Sequence, residues 1–297
     1  VVYTSVDEIY ARDLFAAFSR DTGLRVLPVF DTEEAKTLGL VHRLIAERSR
    51  PQCDVFWNGE CVRTARLKNE GILEPWRPPA AAAIPAEWRD PQDAWTGFGA
   101  RARVIVYNTK RVSDPPRTLA ALADPKWKGR VAIAHPSFGT TAAHFAALGE
   151  TEAVRLAAAL KANGVRVVGG NSHVRDLVAR GDCDLGLTDT DDVWIGLDRG
   201  DPIAMVFPDQ EGPGTLAIPN SAALVKGAPH PANAKRFLDW LLRPETEALL
   251  AKGPSRQMPV RKEVSGELSR LKVLKVDWGA LSASEAVIDK VKTALGL

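Results

Sequence analysis

The sequence predicts an α/β protein with a parallel sheet, organised as two lobes. Three observations carry that reading. Strand-like runs alternate with amphipathic stretches through the first 60 residues. The links between them are short, which requires right-handed βαβ units. The chain of 297 residues is about two domains long. Hydrophobic residues make up 45% of it and charged residues 26%, enough apolar material to bury a core in each lobe.

Val1 to Ser5 is a β-rich run. Asp7 to Thr22 places Ile9, Leu14, Phe15 and Phe18 at helical spacing, and Gly23 stops the helix. Leu24 to Phe30 reads as a second strand. Asp31 and Thr32 cap a helix running to about Ser49, with Leu38, Val41, Leu44 and Ile45 on one face. Asp54 to Trp57 is a third strand. From 74 to 98 the rhythm is lost among prolines and tryptophans, the pattern of irregular chain anchored by aromatics. Strands follow at Arg101–Asn108, Val131–Ala134, Val165–Val168, Asp184–Leu187 and Ala204–Phe207. Helices are predicted at 118–123, 139–149, 151–163, 172–180, 231–242, 245–252 and 280–295.

Composition narrows the function. Lys+Arg 39 against Asp+Glu 37 gives a net charge of +2, and no basic block stands out, so nucleic acid and anionic membranes are not expected partners. No run of about 18 uncharged apolar residues is present to span a membrane. Cys53, Cys61 and Cys183 form no CxxC pair. The chain opens at Val1 directly in strand-like sequence, as expected of a mature or trimmed chain. The five histidines are dispersed without metal-ligand spacing, and GxSxG, P-loop and GxGxxG signatures are absent.

In open α/β sheets ligands bind beyond the carboxyl ends of strands. Those positions hold Ser5 and Asp7, then Thr32, then Asn58 and Glu60. Further along come Ser137, Gly139, Thr140 and Thr141, then Asn171, and finally Asp189, Thr190, Asp191 and Asp192. Two chemistries emerge. Small hydroxyl and glycine residues opening helices at 137–141 and 169–172 suit an anion, although Ser and Thr serve equally as helix caps. Asp7, Glu60, Asp189, Asp191 and Asp192 are acidic. Three aspartates within four residues repel one another unless a cation, an arginine or protonation compensates, and hard cations favour such oxygens. Trp57 and Trp194 adjoin these loops and are candidates for an aromatic wall.

In their order along the chain these pieces resemble the bacterial ABC-importer solute-binding proteins of the ferric-iron and thiamine type. The resemblance rests on Val2-Tyr-Thr-Ser5, Thr22-Gly-Leu-Arg-Val26, Cys53-Asp-Val-Phe-Trp57, Arg101-Ala-Arg-Val-Ile-Val-Tyr-Asn108 and the specific run Leu122-Ala-Asp-Pro-Lys-Trp-Lys-Gly-Arg130. It continues through Phe207-Pro-Asp-Gln210, Gly212-Pro-Gly-Thr215, Lys226-Gly-Ala-Pro-His230, Ala234-Lys-Arg-Phe-Leu238 and Leu242-Arg-Pro-Glu245.

The resemblance implies a two-lobe periplasmic-binding-protein-like fold of type II. A ligand cleft lies between the lobes, and two strands cross over near Ala100–Asn108 and Thr215–Val225. Residues 1–100 plus 226–297 would form lobe 1 and 101–225 lobe 2. It further implies a monomeric extracytoplasmic protein, periplasmic or membrane-associated, that captures a small ligand by lobe closure and delivers it to an ABC permease. No cofactor is implied apart from bound cargo.

The expected cargo is ferric iron or another metal ion with a companion anion, Asp7, Glu60, Asp189 and Asp191 being the candidate metal ligands. By analogy Arg101 and Asn171 stand beside Ser137, Gly139, Thr140 and Thr141 on the anion side. One departure bears on the cargo. Ferric-binding members commonly carry adjacent tyrosines after the strand matching Asp184–Leu187, whereas this chain has Thr188-Asp-Thr-Asp-Asp192 there. Its three tyrosines, Tyr3, Tyr10 and Tyr107, lie elsewhere. The alternative is a small organic solute, phosphorylated or cationic, bound without metal. A more remote one is a thiaminase-like transferase with Cys61 as nucleophile beside Glu60. The non-enzymatic reading is the expected one.

Overall fold

A computed structural model describes residues 1–31, 38–264 and 266–297 of the chain. Thr32 lies outside the described residues, as does the predicted start of the second helix. The first half of the molecule opens with β1 (Val2–Thr4), α1 (Glu8–Thr22), β2 (Pro28–Phe30), α2 (Leu38–Ala46) and β3 (Val55–Asn58). The apolar stripe of α1 places Leu14, Phe15 and Phe18 in the core, and Gly23 ends the helix at φ 72°, a left-handed conformation that glycine adopts without strain. Next come α3 (Val62–Asn69) and β4 (Leu73–Glu74). The long strand β5 (Thr96–Asn108) then starts five residues before its predicted beginning.

The second half holds β6 (Val131–Ala134), α4 (Gly139–Ala147), α5 (Glu150–Ala162), β7 (Arg166–Val168), α6 (Asn171–Arg180), β8 (Leu185–Asp189), α7 (Thr190–Asp198) and β9 (Ile203–Val206). The strand β10 (Ala217–Val225) and the helices α8 (Pro231–Leu241), α9 (Pro244–Lys252) and α10 (Glu285–Leu295) complete the chain.

The sheet runs β2-β1-β3-β10-β5-β8-β6-β7. In the first half β1 pairs parallel with both β2 and β3, and β10 joins β3 antiparallel. In the second half β6 pairs parallel with β7 and β8. β5 belongs to both halves. Its residues Thr96 to Ala102 pair with β10, and Arg103 to Tyr107 pair with β8. A register shift at Pro219/Asn220 bends β10 where it passes from one half to the other. The first half packs around Phe15, Trp57, Phe98 and Phe237, with Trp57 edge-on to Phe15 at 5.7 Å.

Two departures from the sequence reading bear on the site and on the second core. Thr190–Asp198 is helix α7, with Asp191 and Asp192 in its first turn, where carboxylates complement the helix dipole. The tail does not stay with the first half throughout. Ile288, Val291 and Leu295 of α10 pack with Phe145, Leu156 and Leu160 of the second half, because that is where their apolar stripe finds a matching face.

Candidate functional site

Five helices present their amino ends to one cleft of about 220 Å³ between the halves. Its walls include Ser5, Asp7 and Tyr10 from the start of α1 and Gly59 and Glu60 before α3. Facing them are Phe138–Thr141 at α4, Gly169–Ser172 at α6, and Asp189, Asp191 and Asp192 at α7; Arg101 of β5 also lines the space. Of the residues predicted from sequence, Ser5, Asp7, Glu60, Arg101, Gly139, Thr140, Thr141, Asn171, Asp189, Asp191 and Asp192 all meet there.

Asn58, Ser137 and Thr190 do not line the cleft. Asn58 is buried beneath it, accepting from Ser5 Oγ at 2.5 Å and donating to Glu60 Oε1 at 2.9 Å. The Ser137 carbonyl accepts from Arg63 Nη2 at 2.6 Å across the cleft mouth. The Thr190 hydroxyl accepts from the Ala102 amide at 3.2 Å. These are supporting bonds that hold the walls.

The acidic groups are paired in a definite way. Asp189 Oδ1 accepts from Arg103 Nη1 at 2.6 Å. Asp191 Oδ2 stands 3.1 Å from Arg101 Nε. Asp192 Oδ1 stands 3.8 Å from Arg175 Nη1. Each aspartate of the cluster thus faces its own arginine, which relieves the mutual repulsion that the sequence posed as a problem. Burial alone would make Arg101 easier to deprotonate; Asp191, Asp189 and Asp7 outweigh that and hold it cationic. Glu60 caps α3, accepting from the Val62 amide at 2.5 Å and the Arg63 amide at 3.2 Å, so both its oxygens are engaged. The three aspartates still offer one oxygen each within 4.8 Å of one another, a spacing open to a hard cation.

Beside the aspartates, the same wall is electropositive without side-chain charge. The N-cap residues of α4 and α6, Phe138 and Gly170, make no side-chain capping bond. Gly139 opens α4 at φ +51°, and the space where its Cβ would point is open. First-turn amides without an N-cap bond and the helix dipole together attract an anion.

Sequence reasoning missed Tyr10, Arg103 and Arg175. Tyr10 sits one helical turn beyond Asp7, a spacing that signals a shared face. Its phenol is held neutral by burial and by Asp191, Asp192 and Asp7. Trp57 is fully buried in the core, and Trp194 lies beneath Arg256 at 4.7 Å; neither lines the cleft. Cys61 is also absent from the lining. Burial and then Glu60 push its thiol well above the usual range, which favours the protonated thiol of a buried packing cysteine.

Two halves joined by crossing strands, with a polar cleft walled by both, define a protein that closes on a small solute. The chain belongs to the bacterial extracellular solute-binding proteins, whose family pattern matches residues 63–282. Iron uptake protein A1 of Synechocystis sp. is 32% identical over 254 residues, 80% of this chain and 69% of that protein. A putative 2-aminoethylphosphonate-binding periplasmic protein of Salmonella paratyphi A is 28% identical over 268 residues, 84% of this chain and 74% of its own length. The Trichodesmium protein IdiA (FutA), solved in complex with iron and citrate, superimposes with a TM-score of 0.83 at 27% identity, covering 99% of this chain and 98% of that one. The fold is accordingly the two-lobe periplasmic-binding type. Among the described residues no helix is long and apolar enough to cross a membrane.

Proposed function

We propose that this solute-binding protein captures a small organic solute bearing a phosphate or phosphonate, and hands it to an ABC permease outside the cytoplasm. The anionic group sits on the amides of α4 and α6. The hydroxyl or amino groups of the solute face Asp7, Asp191 and Asp192. The carrying observation is the pairing of the cluster: Asp189, Asp191 and Asp192 each oppose an arginine, while the N-cap residues of α4 and α6 make no side-chain capping bond. The carboxylates are thereby compensated without a metal, and the amides are the groups left seeking a partner.

Lobe 1 in this reading is residues 1–100 with most of 226–297, and lobe 2 is 101–225 together with α10. β5 and β10 act as the hinge, and both walls move onto the solute on closure.

A second reading has one observation in its favour. The three aspartates lie close enough to share a hard cation, so a ferric ion with a companion anion on the same amides is the rival cargo. Calorimetric titration decides between them. Micromolar or tighter binding of 2-aminoethylphosphonate or a sugar phosphate in the presence of a chelator supports the organic solute. Binding only when ferric salt and an anion are supplied together supports the metal.

A further inference from the structure

We infer that Arg103 is a positioning residue of the anion subsite, fixing the amino ends of α4, α6 and α7 against one another without touching the solute. The inference rests on the anion reading of the cleft. Arg103 is 0% exposed, and it is not among the residues lining the cleft. Its Nη1 donates to Asp189 Oδ1 at 2.6 Å, Asn171 Oδ1 at 3.1 Å and Thr140 Oγ1 at 3.2 Å. Its Nη2 reaches Thr141 Oγ1 at 3.4 Å and its Nε reaches His144 Nδ1 at 3.3 Å. The acceptors come from α4, from α6 and from the residue that caps α7.

Those acceptors also bind one another. The Thr140 hydroxyl donates to Asp189 Oδ2 at 2.5 Å, and Asn171 Nδ2 donates to Asp189 Oδ2 and to Thr140 Oγ1, both at 2.9 Å. A hydroxyl has one hydrogen, and that of Thr140 is committed. Asn171 Oδ1 accepts from Arg103 while its amide nitrogen donates within the same network. The side chains of Thr140 and Asn171 are therefore scaffold, and the backbone amides of α4 and α6 are what an anion meets. Arg101, only 7% exposed, also lines the cleft, with its Nε turned to Asp191 Oδ2 at 3.1 Å. The spacing between the two sets of amides is set by the planar fork of Arg103. A lysine keeps the charge but cannot span acceptors on three elements.

The test uses the full chain with two variants, Arg103→Lys and the charge-balanced pair Arg103→Met with Asp189→Asn. Each is titrated with inorganic phosphate and with 2-aminoethylphosphonate, and its thermal unfolding is followed in parallel. The expected result is that wild type binds at least one probe, while Arg103→Lys unfolds cooperatively yet binds that probe at least tenfold more weakly. The charge-balanced variant shows the same loss and decides the matter if Arg103→Lys does not fold. Wild-type affinity in either folded variant overturns the positioning role while leaving the anion reading intact. A wild type that binds neither probe overturns the anion reading itself, and the inference falls with it.

Discussion

Arg101 and Asp191 form an ion pair across the floor of the cleft, with Arg101 Nε 3.1 Å from Asp191 Oδ2. The same guanidinium donates to the Gly59 carbonyl at 2.6 Å and to Asn220 Oδ1 at 3.2 Å. One side chain on a hinge strand thus touches the loop after β3, the other hinge strand and the start of α7. Any change in the angle between the lobes must remake at least one of these contacts.

Asp191→Ala is therefore expected to act twice. It removes an oxygen facing the solute and leaves a buried guanidinium without its counter-charge. Breaking such a pair costs about 3 kcal/mol. The protein should still fold, with a lowered Tm, and bind its solute at least tenfold more weakly. Differential scanning calorimetry and titration on the same sample check both effects. Unchanged affinity would remove the α7 end from the binding site.

Arg63 supplies the contact at the cleft mouth, donating to the Ser137 carbonyl at 2.6 Å from one lobe to the other. Arg63→Ala removes this charge-assisted hydrogen bond between the lobes. A loss of about 1 kcal/mol is expected, roughly fivefold in affinity. Small-angle scattering should show saturating solute compacting both proteins, the variant requiring more solute to do so. A variant that closes at the same concentration as wild type would mean the contact contributes nothing to closure.

Tyr10 separates the two cargo readings. Burial and the nearby Asp191, Asp192 and Asp7 disfavour its phenolate. Ferric salt added with phosphate should produce no visible phenolate-to-iron charge-transfer band, and Tyr10→Phe should alter affinity for an organic solute less than tenfold. A band in wild type that Tyr10→Phe abolishes would establish Tyr10 as a metal ligand and favour the ferric cargo.

His144 gives a prediction on pH. Burial, reinforced by Arg103, holds its pKa well below 6.5 in the folded protein. Between that depressed value and about 6.5 the unfolded chain binds a proton that the folded chain does not, so stability falls as pH drops below about 6.5. The slope from this group is about 1.4 kcal/mol per pH unit. In denaturant titrations from pH 7.5 to 5, His144→Asn should lose that part of the slope. An unaltered slope would show that another group governs acid destabilisation.

Much of this architecture was legible in the sequence. The βαβ rhythm of β1 to β3 and the strand Val131–Ala134 follow from apolar periodicity, because local burial and local pattern coincide there. The Asp-rich start of α7 was read as loop, since clustered aspartates look like a site; their place in a helix first turn satisfies both roles. The packing of α10 on the second lobe was not legible, because an amphipathic stripe states that a face will be covered and not by what. Within the site, the loops that strand ends pointed to are ones the fold gathers around one cleft. Arg103, two residues from Arg101, gave no local signal of its own: both side chains leave β5 on the same face, and only the tertiary structure buries one beneath the helices and opens the other to the cleft.

On the proposed reading this cleft takes an anion-bearing organic solute without needing a metal. Native mass spectrometry of the protein as purified, with metal analysis of the same sample, tests it most directly. The expected result is an organic adduct carrying phosphorus at close to one per chain, and no stoichiometric iron. One iron per chain with no organic adduct would contradict it.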